Sequence, residues 1–412
     1  MKQIKKKILS IPLILIWLSH LIQVFVPETG FDALWYHLPI AKAIIKNKGL
    51  VYLPNLYQSL NPLFADLYFT FGYFLLGDLG AKIVAYLFAL SLIFVTYKLS
   101  RKYLNKSWSI LAITLISTFQ VISWQSASFY VDLAKAFFEI SALLLLYCFL
   151  FDGSHIIENK NKENSKHLVI AGLFFGASLA SKLFSLFLLP VYLLIIYLFS
   201  QKNKIKNTTY FLFSSLLLPF PFYLFAYLNT GNPFYSFLIH FNKLGEIGGN
   251  NNLLFYFLER TIKLPFSLFE IFSARDYISF IFLIFLPIVL LSYKKILNRK
   301  NIFLLIFSLS QYLLWWYLPP LSSRYAMAGF ITLTIFYLKI IHDFTTLHKE
   351  YLKPIIIGII FSILINFAPR IIVNIRSLKY ILGKQTKLEY LEQFYDGSID
   401  NNIKEWHFRT TL

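Results

Sequence analysis

The run PLFADLYFTFGYFLLG, Pro62–Gly77, decides how this chain meets a membrane. It is apolar enough to enter a bilayer, yet it starts at Asn61-Pro62, carries Asp66 and stops at the length of a short or interfacial helix. Apolar runs of spanning length, about 17–25 residues, begin elsewhere near Ile8, Leu79, Ser107, Phe129, His167, Leu183, Thr209, Tyr277, Asn301, Arg324 and Leu352. If Pro62–Gly77 crossed as well, the next break, KLSRKYLNK at Lys98–Lys106, would face outward with four basic residues. If it lies in the interface, that break shares the cytoplasmic side with those at Lys160–Lys166, Lys202–Lys206, Lys294–Lys300 and Lys349–Lys353 and with the N-terminal KKK, as the positive-inside rule asks.

The second arrangement predicts an all-α polytopic membrane protein with about 11 transmembrane helices and amphipathic juxtamembrane helices in the first outer loop. The transmembrane domain is expected over 1–369, with outer loops at 27–78 and 229–276, and a small extracytoplasmic tail at 370–412. The N-terminus is then cytoplasmic and the C-terminus extracytoplasmic, in the plasma (inner) membrane. The segment Ile8–Val26 follows the basic leader KQIKKK without a small-residue cleavage pattern and reads as an uncleaved anchor. Gly248–Asn252 (GGNNN) is the stretch richest in flexible turn residues.

Composition supports the membrane reading. Hydrophobic residues make up 57% of the chain and charged residues 14%, too little polar cover for a globular surface in water. The formal net charge of +19 raises nucleic acid as a partner, but 20 of the 39 Lys and Arg sit in the N-terminus and the short hydrophilic breaks, where membrane anchoring accounts for them. No nucleic-acid partner is expected. The single Cys148 excludes a disulfide framework, and no His or Cys spacing suggests a metal centre.

On this topology the outer face collects Glu28, Asp32, His37, Asp66, Asp132 and Lys182, with the SSRY at Ser322–Tyr325. From Asp32 to Lys46, Leu34, Trp35, Leu38, Ala41 and Ile45 recur at helical spacing while Lys42 and Lys46 fall elsewhere, which describes a helix lying in the headgroup region. Asp32 stands at its N-terminal end, so both a helix cap and a chemical role fit it. Asp132, Lys135 and Glu139 share one helical face; a snorkelling pair between Lys135 and Glu139 at the membrane edge accounts for two of them. Asp132 remains as a second outer carboxylate near lipid, the kind of feature that marks a site. Lys182, with Lys263, Arg275 and Arg324, could form a cationic pocket for a lipid-borne phosphate.

Together, FDALWYHLPIAK (Phe31–Lys42), SFYVDLAKAFF (Ser128–Phe138), GLFFGASLASK (Gly172–Lys182) and TGNPFYSF (Thr230–Phe237) resemble the GT-C superfamily of integral membrane glycosyltransferases. NPLFADLYF (Asn61–Phe69) fits the proline-plus-acid segment of the same loop. The likeness is closest to bacterial members akin to aminoarabinose transferases and protein O-mannosyltransferases. It implies a polyprenyl-phosphate-linked sugar as donor and a glycan, lipid or protein as acceptor. Residue by residue, it makes Asp32 the catalytic base and Asp132 the acid of the second outer loop. Lys182 and Arg324 match basic positions for the donor phosphate, and Tyr36, His37 and Asp66 of the first loop are expected to bind substrate beside them. Many relatives carry two adjacent acids where this chain has Asp32 alone, so no metal ligand and no cofactor are expected. The function so implied is inverting glycosyl transfer at the outer membrane face. The rival is a transporter or lipid-carrier flippase, with Asp132, Lys135, Glu139 and Lys182 as pathway residues.

Overall fold

The computed structural model of the chain describes residues 2–152, 161–235, 253–267, 278–292, 297–318 and 322–394. Every regular element among these residues is helical. Helix α1 (Lys2–Ile22) leads through a short 3-10 turn to a π-helical turn at Ala33–His37, which opens α2 (Leu38–Asn47). Next come α3 (Phe64–Ser100), α4 (Lys106–Ser117), α5 (Gln120–Gln125), α6 (Asp132–Tyr147), α7 (Asn161–Leu179), α8 (Leu189–Phe199), α9 (Lys204–Leu217) and α10 (Phe220–Thr230). After α11 (Leu253–Lys263), α12 (Ile281–Ile284) and α13 (Leu286–Ser292) come α14 (Arg299–Tyr317), α15 (Met327–Leu347), α16 (Leu352–Ile381) and α17 (Lys387–Phe394). Arg275 and the GGNNN stretch lie outside the described residues.

The ambiguous run folds back on its neighbour. Within α3, Leu76 and Gly77 leave helical geometry, Gly77 with φ of 60° and ψ of −144°, a conformation open chiefly to glycine. The rings of Tyr68 and Phe88 then meet at 5.5 Å, where a straight helix would set them about 30 Å apart. Gly72 and Gly80 let the two arms touch: a Cβ on Gly80 would lie 1.9 Å from the Gly72 carbonyl oxygen. The arm from Phe64 to Leu75 rises only about 18 Å, short of the roughly 30 Å hydrocarbon core, whereas the arm up to Ser100 is long enough to cross.

Among the described residues, four helices have the length and apolarity to cross a membrane: Phe64–Ser100, Asp132–Asp152, Ser323–Leu347 and Lys349–Ile381. The pair α9 and α10, bent by 58°, makes five if it is one broken span. Eleven is not reached by this measure, because several apolar runs are interrupted. The run from Ser107 breaks at Thr118, the run from Leu183 opens with a 3-10 turn (Leu183–Leu188), and the run from Thr209 bends ahead of Pro219. Shorter apolar helices, Ser10–Phe25, Lys106–Ser117, Lys166–Leu179 and Leu183–Phe199, carry these remaining runs.

The bundle core is built where α6 packs on α7 and α3, α7 on α9, and α14 on α15. Trp315, Trp316, Phe303, Phe307 and Phe330 are enclosed in one apolar cluster with residues of α4, α6 and α8. Large apolar side chains such as Phe71 (63%), Phe74 (66%) and Leu364 (62%) stay exposed, as lipid-facing positions do and a water-soluble surface rarely allows. The boundary expected at 370 falls inside α16, which continues to Ile381; α17 then returns to set Tyr390, 1% exposed, against the bundle.

Candidate active site

The site grows from four chain segments that meet at one end of the bundle. The π-helical turn at Ala33–His37 places Asp32 just before it, and the Asp32 carboxylate makes no capping bond. Instead Arg324, in the 3-10 turn Ser323–Ala326 that opens α15, donates from Nη1 to Asp32 Oδ2 at 2.7 Å. The Asp32 backbone N–H donates to the Tyr130 hydroxyl at 3.0 Å, so the segment before α6 holds the loop from the other side. The Arg324 guanidinium lies over the rings of Tyr130 (5.4 Å) and Tyr325 (5.2 Å), a stacking that Arg makes better than Lys. Burial, reinforced by the nearby Asp32 charge, pushes the Tyr130 hydroxyl well above the ordinary phenol range. The Tyr36 hydroxyl is raised for the same two reasons.

A second acid and cation flank the first pair. Helix α7 ends at Leu179 and the chain is extended at Lys182, which explains how a lysine interrupts an apolar stretch: it sits in the break between helices. Lys182 is ion-paired with Asp132 at the first turn of α6, and Gln125 donates to the other Asp132 oxygen at 3.2 Å. The Lys182 ammonium also stands 4.2 Å from the Tyr325 ring centre. Tyr325 therefore lies between Arg324 and Lys182, and each of these two cations is paired on its other side with an acid, Asp32 and Asp132 respectively. Side-chain exposure is 15% for Asp32, 18% for Arg324 and 15% for Lys182, against 1% for Asp132. Three of the four charged groups can meet a ligand, and the fourth is enclosed.

Below them, Lys135 and Glu139 do pair, at 2.8 Å, but they do not snorkel: both are wholly enclosed, at 1% and 0% exposure. Lys135 donates its second bond to the Tyr325 carbonyl oxygen at 3.0 Å. Glu139 accepts from Ser178 (3.1 Å), Ser185 (3.2 Å) and Gln311 (3.2 Å). The pair is thus an internal strut that fixes the turn carrying Arg324 and Tyr325.

Of the residues singled out in the sequence, Asp32, Asp132, Lys182 and Arg324 come together. His37 and Asp66 pair with each other, both buried, and so pin the start of α2 to the start of α3. Tyr36 is half-buried beside them, its ring 4.1 Å from that of His37. Glu28 turns inward to accept from Ser128 Oγ at 2.7 Å and from the Phe129 N–H at 3.0 Å. Lys263 is paired with Glu259 on α11. Tyr130, Tyr325 and Gln125 complete the site without having been given a role; Tyr130 and Tyr325 lie in the quoted stretches SFYVDLAKAFF and SSRY, each within two residues of a chosen charge.

Residues 61–225 match the profile of the dolichyl-phosphate-mannose-protein mannosyltransferase family. A search of curated proteins finds no match. Among solved structures, ArnT from Cupriavidus metallidurans bound to undecaprenyl phosphate superposes with a TM-score of 0.55 at 17% identity, over 80% of this chain and 58% of that one. The oligosaccharyltransferase AglB from Archaeoglobus fulgidus, in complex with an inhibitory peptide and a dolichol-phosphate, superposes with a TM-score of 0.55 at 15% identity, over 88% of this chain and 55% of that one. This chain therefore spans less than two thirds of the length of the proteins it superposes on. It shares the fold of these two structures, and its residues 61–225 match the mannosyltransferase family model.

Proposed function

We propose that this protein is an inverting glycosyltransferase that moves a sugar from a polyprenyl-phosphate donor to an acceptor hydroxyl or amine at the outer membrane face. The observation that carries the reading is the meeting of one partly open carboxylate, Asp32, with two partly open cations, Arg324 and Lys182, around Tyr325. Transfer from a lipid phosphate builds positive charge on the sugar ring and negative charge on the departing phosphate. Such a reaction needs a base at one end and cations at the other.

In the proposed reaction the acceptor oxygen attacks the anomeric carbon from the face opposite the phosphate, and its proton passes to Asp32. The bond between that carbon and the phosphate oxygen breaks, and polyprenyl phosphate leaves with the electron pair, stabilised by Arg324 and Lys182. Asp132 holds Lys182 in place, and the Lys135–Glu139 strut holds the turn of Arg324. Arg324 is engaged by Asp32. A donor phosphate competes for that guanidinium and leaves Asp32 to the acceptor, so donor binding prepares the base. An apolar cavity of about 620 Å³ lined by Leu309, Leu313, Leu333, Phe336 and Tyr337 offers room for an isoprenoid tail, and Leu333 lies on α15 about 15 Å along the helix from Arg324.

Purified protein in detergent, incubated with a panel of polyprenyl-phosphate sugars and cell-envelope extract, is expected to consume one donor without any membrane gradient. Consumption of none, with transport of a lipid-linked sugar across vesicles instead, would overturn the reading in favour of a flippase.

A further inference from the structure

Helix α16 is polar on its inward face and apolar on its outward face. Ser362, Asn366, Arg370, Asn374 and Ser377 follow at three- to four-residue spacing and are all buried, while Ile357, Phe361, Leu364, Ile371 and Ile375 are 46–62% exposed. A membrane helix shows this pattern when it encloses a polar interior. The C-terminal end of the stripe is satisfied: the Asn374 amide donates to the Ser19 carbonyl (3.0 Å) and hydroxyl (2.7 Å), and Gln23 donates to Asn374 (2.8 Å) and Ser377 (3.0 Å). Its middle is not.

Beside Arg370 lies a cavity of about 260 Å³, walled also by Lys82, Gln23, Ser123, Ser128 and the segment Val26–Gly30. Arg370 is 6% exposed; its Nε donates to Ser123 Oγ at 2.8 Å, and its Nη2 has no partner among the described residues. Lys82, equally enclosed, donates to the Val26 carbonyl at 2.6 Å and more weakly to that of Pro27 at 3.5 Å. An ammonium has three donors to place. The one carboxylate in the wall, Glu28, is already taken: it accepts from the N–H groups of Thr29, Gly30 and Phe129 and from Ser128 Oγ. Two buried cations thus share a cavity with one described acid, whose oxygens are hydrogen-bonded to neutral donors, so one positive charge is left over, and a buried charge calls for a counter-charge.

We infer that this cavity is a binding site for a phosphate group, separate from the Asp32–Arg324 centre, with Arg370 as the forked donor and Lys82 as the point charge. A phosphate group fits better than a carboxylate because its several oxygens can serve the guanidinium, the ammonium and a wall hydroxyl together. Its source is either the headgroup of a membrane phospholipid or soluble phosphate. The inference does not rest on the glycosyl-transfer reading.

The test uses the full chain purified in a maltoside detergent, which carries no phosphate. Thermal shift and equilibrium binding are read in two arms at matched ionic strength, one with inorganic phosphate and one with phosphatidic acid. In an Arg324→Gln background, which removes the donor-phosphate ligand of the Asp32 centre, binding and stabilisation are expected to persist, while adding Arg370→Gln or Lys82→Gln weakens binding at least tenfold. Arg370→Lys, which keeps the charge and loses the fork, keeps the test decisive should Arg370→Gln fail to fold; it too is expected to lose about tenfold. Binding in the lipid arm alone assigns a headgroup, and binding in the phosphate arm alone assigns the soluble ion. Absence of binding to wild type in both arms, binding lost in Arg324→Gln alone, or binding kept once an Arg370 change is added, overturns the site.

Discussion

Arg324 Nη1 lies 2.7 Å from Asp32 Oδ2, an ion pair between residues 292 apart in the chain. It joins the first loop to the turn that opens α15, and it puts the proposed base and one of the proposed phosphate ligands in direct contact. The two partners have separable roles, one toward the acceptor and one toward the donor. Replacing them one at a time should therefore damage different kinetic constants.

Asp32→Asn keeps the size of the side chain and a hydrogen-bond acceptor for Arg324, so insertion and folding are expected to persist. Loss of a general base typically costs about 10²- to 10⁴-fold in rate. Donor turnover by the purified variant is expected to fall by that amount with little change in donor KM. Wild-type turnover would refute the assignment of Asp32.

For Arg324→Lys the expectation is different. The charge remains, but the stacking on Tyr130 and Tyr325 and the forked geometry are lost. Donor KM is expected to rise about tenfold, equivalent to ~1.4 kcal/mol, and Arg324→Gln should be worse than Arg324→Lys. Equal KM values in all three proteins would show that the donor phosphate is held elsewhere.

The reversal inside α3 depends on two glycines in different ways. At Gly80 an added Cβ would collide with the Gly72 carbonyl oxygen at 1.9 Å, backbone that cannot rotate aside. At Gly77 nothing lies within 4 Å, and only the φ of 60° is strained. Gly80→Ala is expected to abolish recovery of monodisperse protein from detergent, whereas Gly77→Ala should fold with a stability loss of about 1–3 kcal/mol. Size-exclusion profiles and thermal melts of the two variants distinguish them, and a normal melt for Gly80→Ala would mean the arms are not apposed.

Apolar run length was enough to read an all-helical membrane chain, and Pro62 with Asp66 marked a run too short to cross by itself. The four charges of the site were visible because an Asp or Lys near lipid stands out. What stayed hidden was set by tertiary neighbours. The Lys135–Glu139 spacing shows that they can pair but not whether lipid headgroups or protein surround them; burial between α6, α7 and α14 is decided by packing. His37 and Asp66, 29 residues apart, become partners only because the segment between α2 and α3 brings the starts of the two helices together. Helix α16 runs on past residue 370 because Arg370, a charge that reads as a membrane edge in the sequence, has its side chain enclosed by α5 and the first loop.

Alkaline pH should weaken the folded state through Tyr36 and Tyr130, whose hydroxyls burial and the Asp32 charge hold above the ordinary phenol range. The unfolded chain releases these protons near pH 10, while the folded protein keeps them. Their contribution is thus fully present below about pH 10 and lost as pH rises beyond it. Melting temperatures taken from pH 9 upward are expected to fall, and to fall less steeply in Tyr130→Phe. Matching slopes in the two proteins would show that Tyr130 ionises as readily folded as unfolded.

The strut beneath the site separates stability from activity. Lys135→Met leaves Glu139 charged, enclosed and without its cation, and breaking a buried pair from one side costs about 3–5 kcal/mol. The double change Lys135→Met with Glu139→Gln removes both charges, keeps an acceptor oxygen for Ser178, Ser185 and Gln311, and is expected to recover most of that loss, because a neutral pair in a buried site is often as stable as the ion pair it replaces. It does not restore the bond from Lys135 to the Tyr325 carbonyl oxygen. The turn that presents Arg324 and Tyr325 then loses its support, and an oriented cation is worth more to a developing charge than a mobile one. The double variant should therefore melt close to wild type yet turn over donor at least tenfold more slowly, about 1.4 kcal/mol in the barrier. Turnover that recovered together with stability would reduce Lys135 and Glu139 to packing, and would leave Tyr325 positioned by its own ring contacts with Arg324 and Lys182.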